Sequence, residues 1–439
     1  MLTIASYYFY MSWKAEYAVL IFGSTIIDYF LSHQIYKADK KAVKKILLII
    51  SLVSNLGILF LFKYFNFFNE NIRLILDNYN IFYDVPVYNL LLPVGISFYT
   101  FQTLSYTIEV YRGDQKPEKH FGIFALYVSF FPQLVAGPIE RFSRLGPQFR
   151  EKIKLTYDNL ANGMRLMLYG YAIKMVIADN ISVYVDKIFA SPETYNSLSI
   201  LQGMFFYSFQ IYSDFYGYSL IAIGTSLIMG IRLMDNFKTP YLSKNIAEFW
   251  SRWHISLSTW FRDYLYISLG GNRVKIYRIY INLLIVFIVS GLWHGAAWTF
   301  VIWGAIHGFI LVFEKILSQI FKLKLKENKL TVGLLFLKTF LIATAAWVFF
   351  RAQSFDGAIQ MFKSVSNNFS VENVLEVPYK IYIILGVFIL SDIILYNTRI
   401  DKWVNKNNIV VRWTVYFILV FAIMTLSGID NNPFIYFQF

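Results

Sequence analysis

Hydrophobic stretches of membrane-spanning length recur along almost the whole chain, and they constrain its fold more than any other feature. A helix needs roughly 20 mostly apolar residues to cross a bilayer. Windows of this kind lie near 15–32, 46–63, 160–180, 198–230, 279–293, 296–317, 331–351, 379–397 and 411–428. The window at 198–230 is long enough for more than one pass. We therefore predict an all-α polytopic membrane protein with about 10–12 membrane segments.

Composition supports this class and argues against division into domains. Of 439 residues, 57% are hydrophobic and only 15% are charged, against about 25% charged residues in an ordinary soluble domain. The chain has no internal repeat, no low-complexity linker and no shift of composition that would mark a soluble part. Residues 1–439 are accordingly predicted to form one integral-membrane domain that ends in a short aromatic tail, 431–439.

Two further apolar windows, near 88–108 and 121–136, are interrupted by proline and glycine. The clearer case is SFFPQLVAGPIERF (129–142), in which an apolar run containing Pro132, Gly137 and Pro138 ends at Glu140 and Arg141. Non-helical backbone at membrane depth is tolerated where it lines a cavity. Both windows are therefore predicted to be broken or re-entrant segments.

The net charge of +13 comes from basic clusters between the hydrophobic windows. Examples are YKADKKAVKK (36–45), REKIK (150–154), FKLKLKENK (321–329) and TRIDKWVNK (398–406). In membrane proteins such clusters keep loops on the cytoplasmic side, so we predict no nucleic-acid partner. The chain has no cysteine, which excludes disulfides, thiolate metal sites and a cysteine nucleophile.

The longest less hydrophobic stretch contains NFKTPYLSKNIAEFWSRWHISLSTWFRDYLYISLGGNR (236–273). Apolar residues recur there with helical spacing from Ile246 to Tyr264, which predicts one amphipathic helix over 245–266. Its tryptophans, tyrosines and arginines, including Arg262, are typical of a membrane interface or a partly wet cavity. His254 lies at the edge of the apolar stripe.

The stretch GLWHGAAWTFVIWGAIHG (291–308) places His294 and His307 among apolar residues, where an ionisable side chain is costly. One helix through both would turn His307 by roughly 220° from His294 and raise it by about 20 Å. The two histidines therefore do not form a metal site, and we predict no metal. Trp293 and Trp298 can wall a pocket around His294, and desolvation would keep its imidazole neutral, as a general base for a hydroxyl or thiol requires.

Asp214 lies among aromatic residues in FYSFQIYSDFYGYSLIAIG (206–224). A carboxylate inside a membrane segment usually pairs with another group or faces water. Asp214 is therefore either a structural partner of a tyrosine or tryptophan or part of a functional site, and its sequence context leaves both interpretations open.

Several of these stretches together resemble the membrane-bound O-acyltransferase family, in its bacterial alginate O-acetylase-like and peptidoglycan O-acetyltransferase-like branch. The matching pieces include LLPVGISFYTFQTLSYTIEVYRG (91–113), FFPQLVAGPIERF (130–142) and the stretches around Asp214, His254 and His294. They span residues 91 to 439. The resemblance implies a ring of tilted helices around a central tunnel, with interfacial and re-entrant helices. It also implies a further hydrophobic segment before ASYYFY, so either the family's first helix is absent here or the start site is internal.

The resemblance also implies roles for individual residues. The histidine of the WHG motif, His294, would be the catalytic base. His254 of the RWH motif would polarise the acyl carbonyl or position the acyl chain. His307 and Asp214 would support the site, with Trp293, Trp298 and Arg262 near the tunnel. The terminal FIYFQF resembles an aromatic motif that carries an acyl group on tyrosine, which makes Tyr436 a candidate acyl carrier; otherwise the tail is an apolar C terminus packed on the last helix.

By this resemblance the protein is expected to move an acetyl group from cytoplasmic acetyl-CoA towards the hydroxyls of a cell-surface polysaccharide. It would sit in a bacterial plasma membrane, need no cofactor beyond acetyl-CoA as co-substrate, and pass the acetyl group to an extracytoplasmic SGNH-type O-acetyltransferase. D-alanyl transfer to teichoic acid is the alternative within the family. A transporter or flippase with proton-relaying His and Asp residues is the alternative outside it.

Overall fold

The computed structural model describes residues 1–135, 137–321, 328–367, 369, 374–428 and 434. All regular secondary structure in these ranges is helical. The chain divides into two compact units, the first formed by residues 1–154 with 231–233 and the second by residues 155–230 with 234–439. The described part of the chain thus confirms the predicted all-α class.

The first unit contains eight of the described helices. They are α1 Leu2–Lys14, α2 Ala18–Lys37, α3 Lys41–Leu59, α4 Phe65–Asn78, α5 Ile96–Arg112, α6 Phe121–Ser129, α7 Phe131–Leu134 and α8 Phe142–Leu145. A 3-10 turn, Ala15–Tyr17, joins α1 to α2, and a π-helical turn, Phe60–Tyr64, joins α3 to α4. Residues 2–37 and 41–78 therefore run as two long apolar helical segments.

Both interrupted windows contain the predicted breaks. The helix that begins at Phe121 stops at Ser129 and resumes at Phe131, because Pro132 has no backbone N–H to donate. The freed amide of Phe131 donates instead to Oγ of Ser6, at 3.3 Å. In the other window, α5 begins only after Gly95, whose φ of +75° suits glycine.

The second unit contains the remaining helices. They are α9 Tyr157–Ala172, α10 Asp179–Ala190, α11 Ser197–Ile228, α12 Ile246–Arg252, α13 Ile255–Trp260, α14 Ile276–His294, α15 Trp298–Phe321, α16 Lys329–Arg351, α17 Phe355–Asn367, α18 Tyr379–Ile394, α19 Ile400–Lys406 and α20 Ile409–Leu426. π-Helical turns extend α9 into α10, over Ile173–Ala178, and prolong α13, over Phe261–Tyr266.

The central element of the second unit is α11, a single helix of 32 residues where the sequence allowed more than one pass. Glycines let α9 approach it closely. A Cβ atom on Gly170 would lie 2.7 Å from the carbonyl oxygen of Gly217, and one on Gly163 would lie 2.7 Å from that of Gly224. Such contact between small residues is a common way for membrane helices to pack.

Seven helical segments among the described residues are long and apolar enough to cross a membrane. They are Leu2–Lys37, Lys41–Asn78, Tyr157–Ala190, Ile276–His294, Trp298–Ile320, Lys329–Arg351 and Ile409–Leu426. The protein is thus a multi-pass membrane protein, and the other expected segments form helices that are shorter or more polar.

Candidate functional site

His254 lies at a break in the segment that the sequence predicted to be one helix. α12 ends at Arg252 and α13 begins at Ile255, so the prediction of a continuous helix over 245–266 was wrong. His254 has φ +41° and ψ 54°, a left-handed conformation that is uncommon for a residue other than glycine. Strained backbone of this kind persists only when its surroundings hold it, and it is concentrated at functional sites.

Asn236 supplies the contacts that hold this break. Its backbone carbonyl accepts a hydrogen bond from the amide of Ile255 at 3.0 Å. Its side-chain Oδ1 accepts from the amide of Ser256 at 3.3 Å and from the hydroxyl of Ser256 at 2.9 Å. Nδ1 of His254 lies 3.2 Å from the same Oδ1. The sequence analysis missed Asn236, since no local pattern shows that a residue before α12 folds onto the start of α13.

His294 is the last residue of α14 and is only 4% exposed. The chain leaves the helix at Gly295 and starts α15 at Trp298. α14 and α15 pack closely because Gly291 and Gly304 have no Cβ atom. A Cβ atom on Gly291 would overlap the carbonyl oxygen of Phe300, and one on Gly304 would overlap that of Phe287. The small residues of the GLWHG stretch thus bring the two helices together around His294.

The fold brings His254 and His294 into one aromatic pocket. Their ring centroids are 6.4 Å apart. Phe215 of α11 lies 4.7 Å from the ring of His254, and Trp293 lies 6.3 Å from His254 and 5.0 Å from His294. The described residues contain no group of three His, Cys, Asp or Glu side chains that could hold a metal ion.

Trp303 of α15 connects His294 with His307. Its indole ring is fully buried and lies 5.1 Å from each of the two imidazole rings. His307 is also fully buried, with its Nδ1 3.4 Å from the indole N–H of Trp250. Trp298, in contrast, is 56% exposed. The wall of the pocket is therefore built by Trp293 and Trp303. The sequence analysis missed Trp303, although its position one helical turn before His307 could have indicated it.

Asp214 belongs to a buried ion-pair cluster. Its carboxylate lies 3.2 Å from Nζ of Lys174, which also forms an ion pair with Asp179. Lys174 lies in the π-helical turn between α9 and α10, 5.8 Å from the ring of Tyr218. The sequence analysis considered a tyrosine or tryptophan as the structural partner of Asp214 and missed Lys174, the cation with which Asp214 forms its ion pair.

The C-terminal tail reaches this region of the second unit. After α20, the amide of Gly428 donates to the carbonyl of Met175 at 3.3 Å. Phe434 is fully buried, with its ring 4.4 Å from that of Tyr218 and 5.7 Å from that of Phe215, the residue that contacts His254. Tyr436 lies outside the described residues.

A cavity of about 1110 Å³ lies beside the pocket, between the α12–α13 segment and helices α14, α15 and α16. Its lining includes Trp250 and Ser290, and Ser290 lies one helical turn before His294. Its polar lining includes Lys244, Arg262, Lys315 and Lys338. Lys338 is paired with Glu314 at 2.6 Å, and Arg262 with Asp263 at 2.7 Å. The cavity thus has largely apolar walls, and the charged residues of its lining are these four basic side chains and one acidic one, Glu314.

The electrostatics of the pocket favour a neutral imidazole at His254. The side chain is fully buried, and this desolvation lowers the pKa of His254 below its ordinary value of 6.5. A histidine in such a site can accept a proton from a reacting group at neutral pH.

Known proteins of one family are similar to this chain in sequence. The profile of the membrane-bound O-acyltransferase family matches residues 119–336. A peptidoglycan O-acetyltransferase from Helicobacter pylori is 38% identical over 83% of this chain and 73% of its own length. A protein named "probable alginate O-acetylase" from Pseudomonas putida is 36% identical over 100% of this chain and 94% of its own. A teichoic acid D-alanyltransferase from Bacillus subtilis is 33% identical over 52% of this chain and 62% of its own.

The family match at residues 119–336 includes His254 and His294, and the structure brings those two histidines together in a buried pocket. The chain belongs to the membrane-bound O-acyltransferase family and is a multi-pass membrane acyltransferase.

Proposed function

We propose that the protein transfers acetyl groups from acetyl-CoA towards hydroxyls of a cell-surface polysaccharide. The observation that carries the proposal is the proximity of His254 to His294 in a buried aromatic pocket. Relatives named for O-acetylation match 83% to 100% of this chain, whereas the D-alanyltransferase matches 52%. This difference in coverage favours acetyl over D-alanyl transfer.

The cavity beside the pocket is the proposed site of the acyl donor. CoA combines a polyanionic nucleotide with a long, thin pantetheine arm, and the cavity combines lysine and arginine side chains with apolar walls. Lys315 precedes the basic stretch 321–329, which is predicted to be cytoplasmic. Entry from this side would place the thioester next to Ser290, one turn from His294.

The chemistry that this arrangement supports is a direct acyl transfer. The hydroxyl oxygen attacks the thioester carbonyl carbon, the C–S bond breaks, and the proton of the hydroxyl passes through His294 to the departing CoA sulfur. Because the thioester is already activated, the step requires neither a metal nor nucleotide hydrolysis. General-base catalysis by a histidine contributes typically 10²–10⁴-fold.

Tyr436 is the proposed first acceptor. It follows the buried Phe434 by two residues, and Phe434 contacts Phe215, which in turn contacts His254. A phenol delivered to this pocket would take the acetyl group as an ester and pass it on. The protein is proposed to lie in a bacterial plasma membrane, and an extracytoplasmic SGNH-type transferase is the proposed next acceptor, since the acetyl group has to reach a polymer outside the cell.

The experiment that tests the proposal is intact-mass measurement of the purified protein after exposure to acetyl-CoA, with CoA release followed in parallel. We expect a mass gain of one acetyl group in the unmodified protein and none in His294→Ala or Tyr436→Phe. His33→Ala is the matched control, because His33 belongs to the first unit and contacts Tyr29 of its own helix. If CoA is released only when His294 is present but the protein gains no mass, the proposed acetyltransferase activity is supported and the role of Tyr436 as acyl carrier is rejected.

D-alanyl transfer is the second candidate, because the teichoic acid D-alanyltransferase shares half of this chain. It predicts no reaction with acetyl-CoA and acylation only from a carrier protein charged with D-alanine. The same mass measurement with each donor separates the two candidates.

A further inference from the structure

The side-chain amide of Asn236 determines which nitrogen of His254 carries the proton. The amide of Ser256 is a donor only, so the atom of Asn236 that faces it at 3.3 Å must be the carbonyl oxygen. The other end of the amide, Nδ2, donates to Oγ of Ser219 at 3.2 Å. The orientation of Asn236 therefore follows from the backbone amide of Ser256, and the contact with the hydroxyl of Ser219 is compatible with it.

Oδ1 of Asn236 can only accept, and Nδ1 of His254 lies 3.2 Å from it. In a neutral imidazole one nitrogen is a donor and the other an acceptor. We infer that Asn236 holds neutral His254 with its proton on Nδ1, so that Nε2 is a proton acceptor that supports His294 during acyl transfer. His254 is thus a positioning residue for His294, and Asn236 is one for His254.

This inference rests on the proposed acyl transfer and changes the role expected for His254. Polarising a thioester carbonyl would need a proton on Nε2, and that proton lies on Nδ1. The imidazolium that forms when His294 takes the hydroxyl proton instead has an acceptor in Nε2 of His254. The 6.4 Å between the ring centroids exceeds that of a direct hydrogen bond, and catalytic hydrogen bonds often tighten only in the substrate complex. His294 returns the same proton to the CoA sulfur, so His254 takes up no proton overall.

The other charged groups near His254 are already engaged. Asp235, next to Asn236, is paired with Arg399 at 2.6 Å. On α11, Asp214 is paired with Lys174, and the residue that contacts His254 is the neutral Phe215. α14 contributes His294 itself. A carboxylate placed at position 236 would therefore be a new charge next to His254, and its effect can be measured.

Three variants separate a tautomer-setting role from a structural one. Asn236→Asp keeps an acceptor for Nδ1 and for the amide of Ser256. Asn236→Leu keeps the approximate size and removes the acceptor. Ser219→Ala removes only the partner of Nδ2 and is the matched control. The readouts are the ¹⁵N spectrum of histidine-labelled protein, with His254 assigned by comparison with His254→Asn, and the pH dependence of kcat and KM for acetyl-CoA.

We expect the unmodified protein and Ser219→Ala to show a protonated Nδ1 and an unprotonated Nε2 at His254. Asn236→Leu should lose this pattern and lower kcat by about 10- to 100-fold, the usual effect of removing a partner that orients a functional histidine, with KM unchanged. Asn236→Asp should keep the pattern and retain more activity. Its acid limb should move to higher pH, because a neighbouring negative charge favours the protonated imidazole.

A proton on Nε2 of His254 in the unmodified protein would overturn the inference. So would equal losses of activity in Asn236→Asp and Asn236→Leu with no change in the pH limb, which would make Asn236 a structural residue only. The ¹⁵N pattern does not depend on activity. The expected pattern together with no CoA release from acetyl-CoA would therefore reject the proposed function and leave the tautomer assignment intact.

Discussion

The imidazole rings of His254 and His294 lie 6.4 Å apart in one buried pocket, although they belong to different helical segments. Neither residue lies in the interior of a regular helix. His254 lies at a left-handed break and His294 at the end of α14. The pocket therefore depends on the two interruptions and on the aromatic residues that pack around them.

The close approach of α14 and α15 can be tested by glycine-to-alanine substitutions, each of which adds one methyl group. Gly291→Ala or Gly304→Ala would place a Cβ atom on a backbone carbonyl of the other helix, so we expect each to separate the helices, displace His294 and lower CoA release at least tenfold (about 1.4 kcal/mol in the barrier). Gly333→Ala on α16 is the control, because nothing lies within 4 Å of its Cβ position. It should leave activity unchanged and slightly raise the midpoint of thermal unfolding. Normal activity of both packed variants would contradict the close approach.

Trp303 is the largest side chain that joins His294 to His307, and it is fully buried. Trp303→Ala should lower the free energy of unfolding by about 3–5 kcal/mol, as is typical for large-to-small changes of aromatic residues in cores. The measurement is thermal unfolding of the purified protein in detergent. Trp298→Ala, at a position that is 56% exposed, should change the free energy by no more than about 0.5 kcal/mol. Equal effects of the two changes would show that Trp303 is not a central packing residue.

Lys174 forms ion pairs with both Asp179 and Asp214. Lys174→Met would leave two buried carboxylates without their cation, and breaking such a pair typically costs about 3–5 kcal/mol. Asp214→Asn leaves the pair of Lys174 with Asp179 in place and should cost less. Thermal unfolding of both variants in detergent shows which of the two loses more stability. The triple change Lys174→Met, Asp179→Asn and Asp214→Asn should recover part of the stability lost in Lys174→Met, because it also removes the two unpaired carboxylates. A further loss of stability would show that the cluster contributes more than the pairing of these charges.

Phe434 anchors the C-terminal tail beside Phe215 and Tyr218. If Tyr436 carries the acetyl group, Phe434→Ala should slow the mass gain of the protein, whereas Phe434→Leu, which keeps most of the apolar contact, should slow it less. Rates of acetyl incorporation measured by intact mass distinguish the two variants. A Phe434→Ala protein that is acetylated at the normal rate would exclude this contact as the anchor.

The lowered pKa of His254 predicts a defined pH dependence of stability. Burial disfavours the protonated imidazole in the folded state, whereas the unfolded chain binds the proton below about pH 6.5. The folded state therefore loses stability as the pH falls below that value. The midpoint of thermal unfolding should decrease between pH 7 and pH 5, and His254→Asn should make this decrease smaller. An equal decrease in both proteins would show that His254 is not the group responsible.

The sequence by itself determined the membrane-spanning helical class, the family and the segments that carry the candidate residues. Hydrophobic length and motif order are local properties of a chain, and these segments need no knowledge of their neighbours. The break at Pro132 was predictable for the same reason, since proline removes a backbone donor wherever it stands.

Only the tertiary structure decided how the site is assembled. The periodicity of 246–264 predicts an unbroken helix, and the break at His254 exists because Asn236 binds the backbone on its far side. Lys174 as the cation for Asp214 and Trp303 as the link between His294 and His307 depend likewise on packing between separate helices. A periodic pattern indicates which face of a helix is apolar. It does not indicate which distant side chain will hydrogen-bond to the helix or interrupt it.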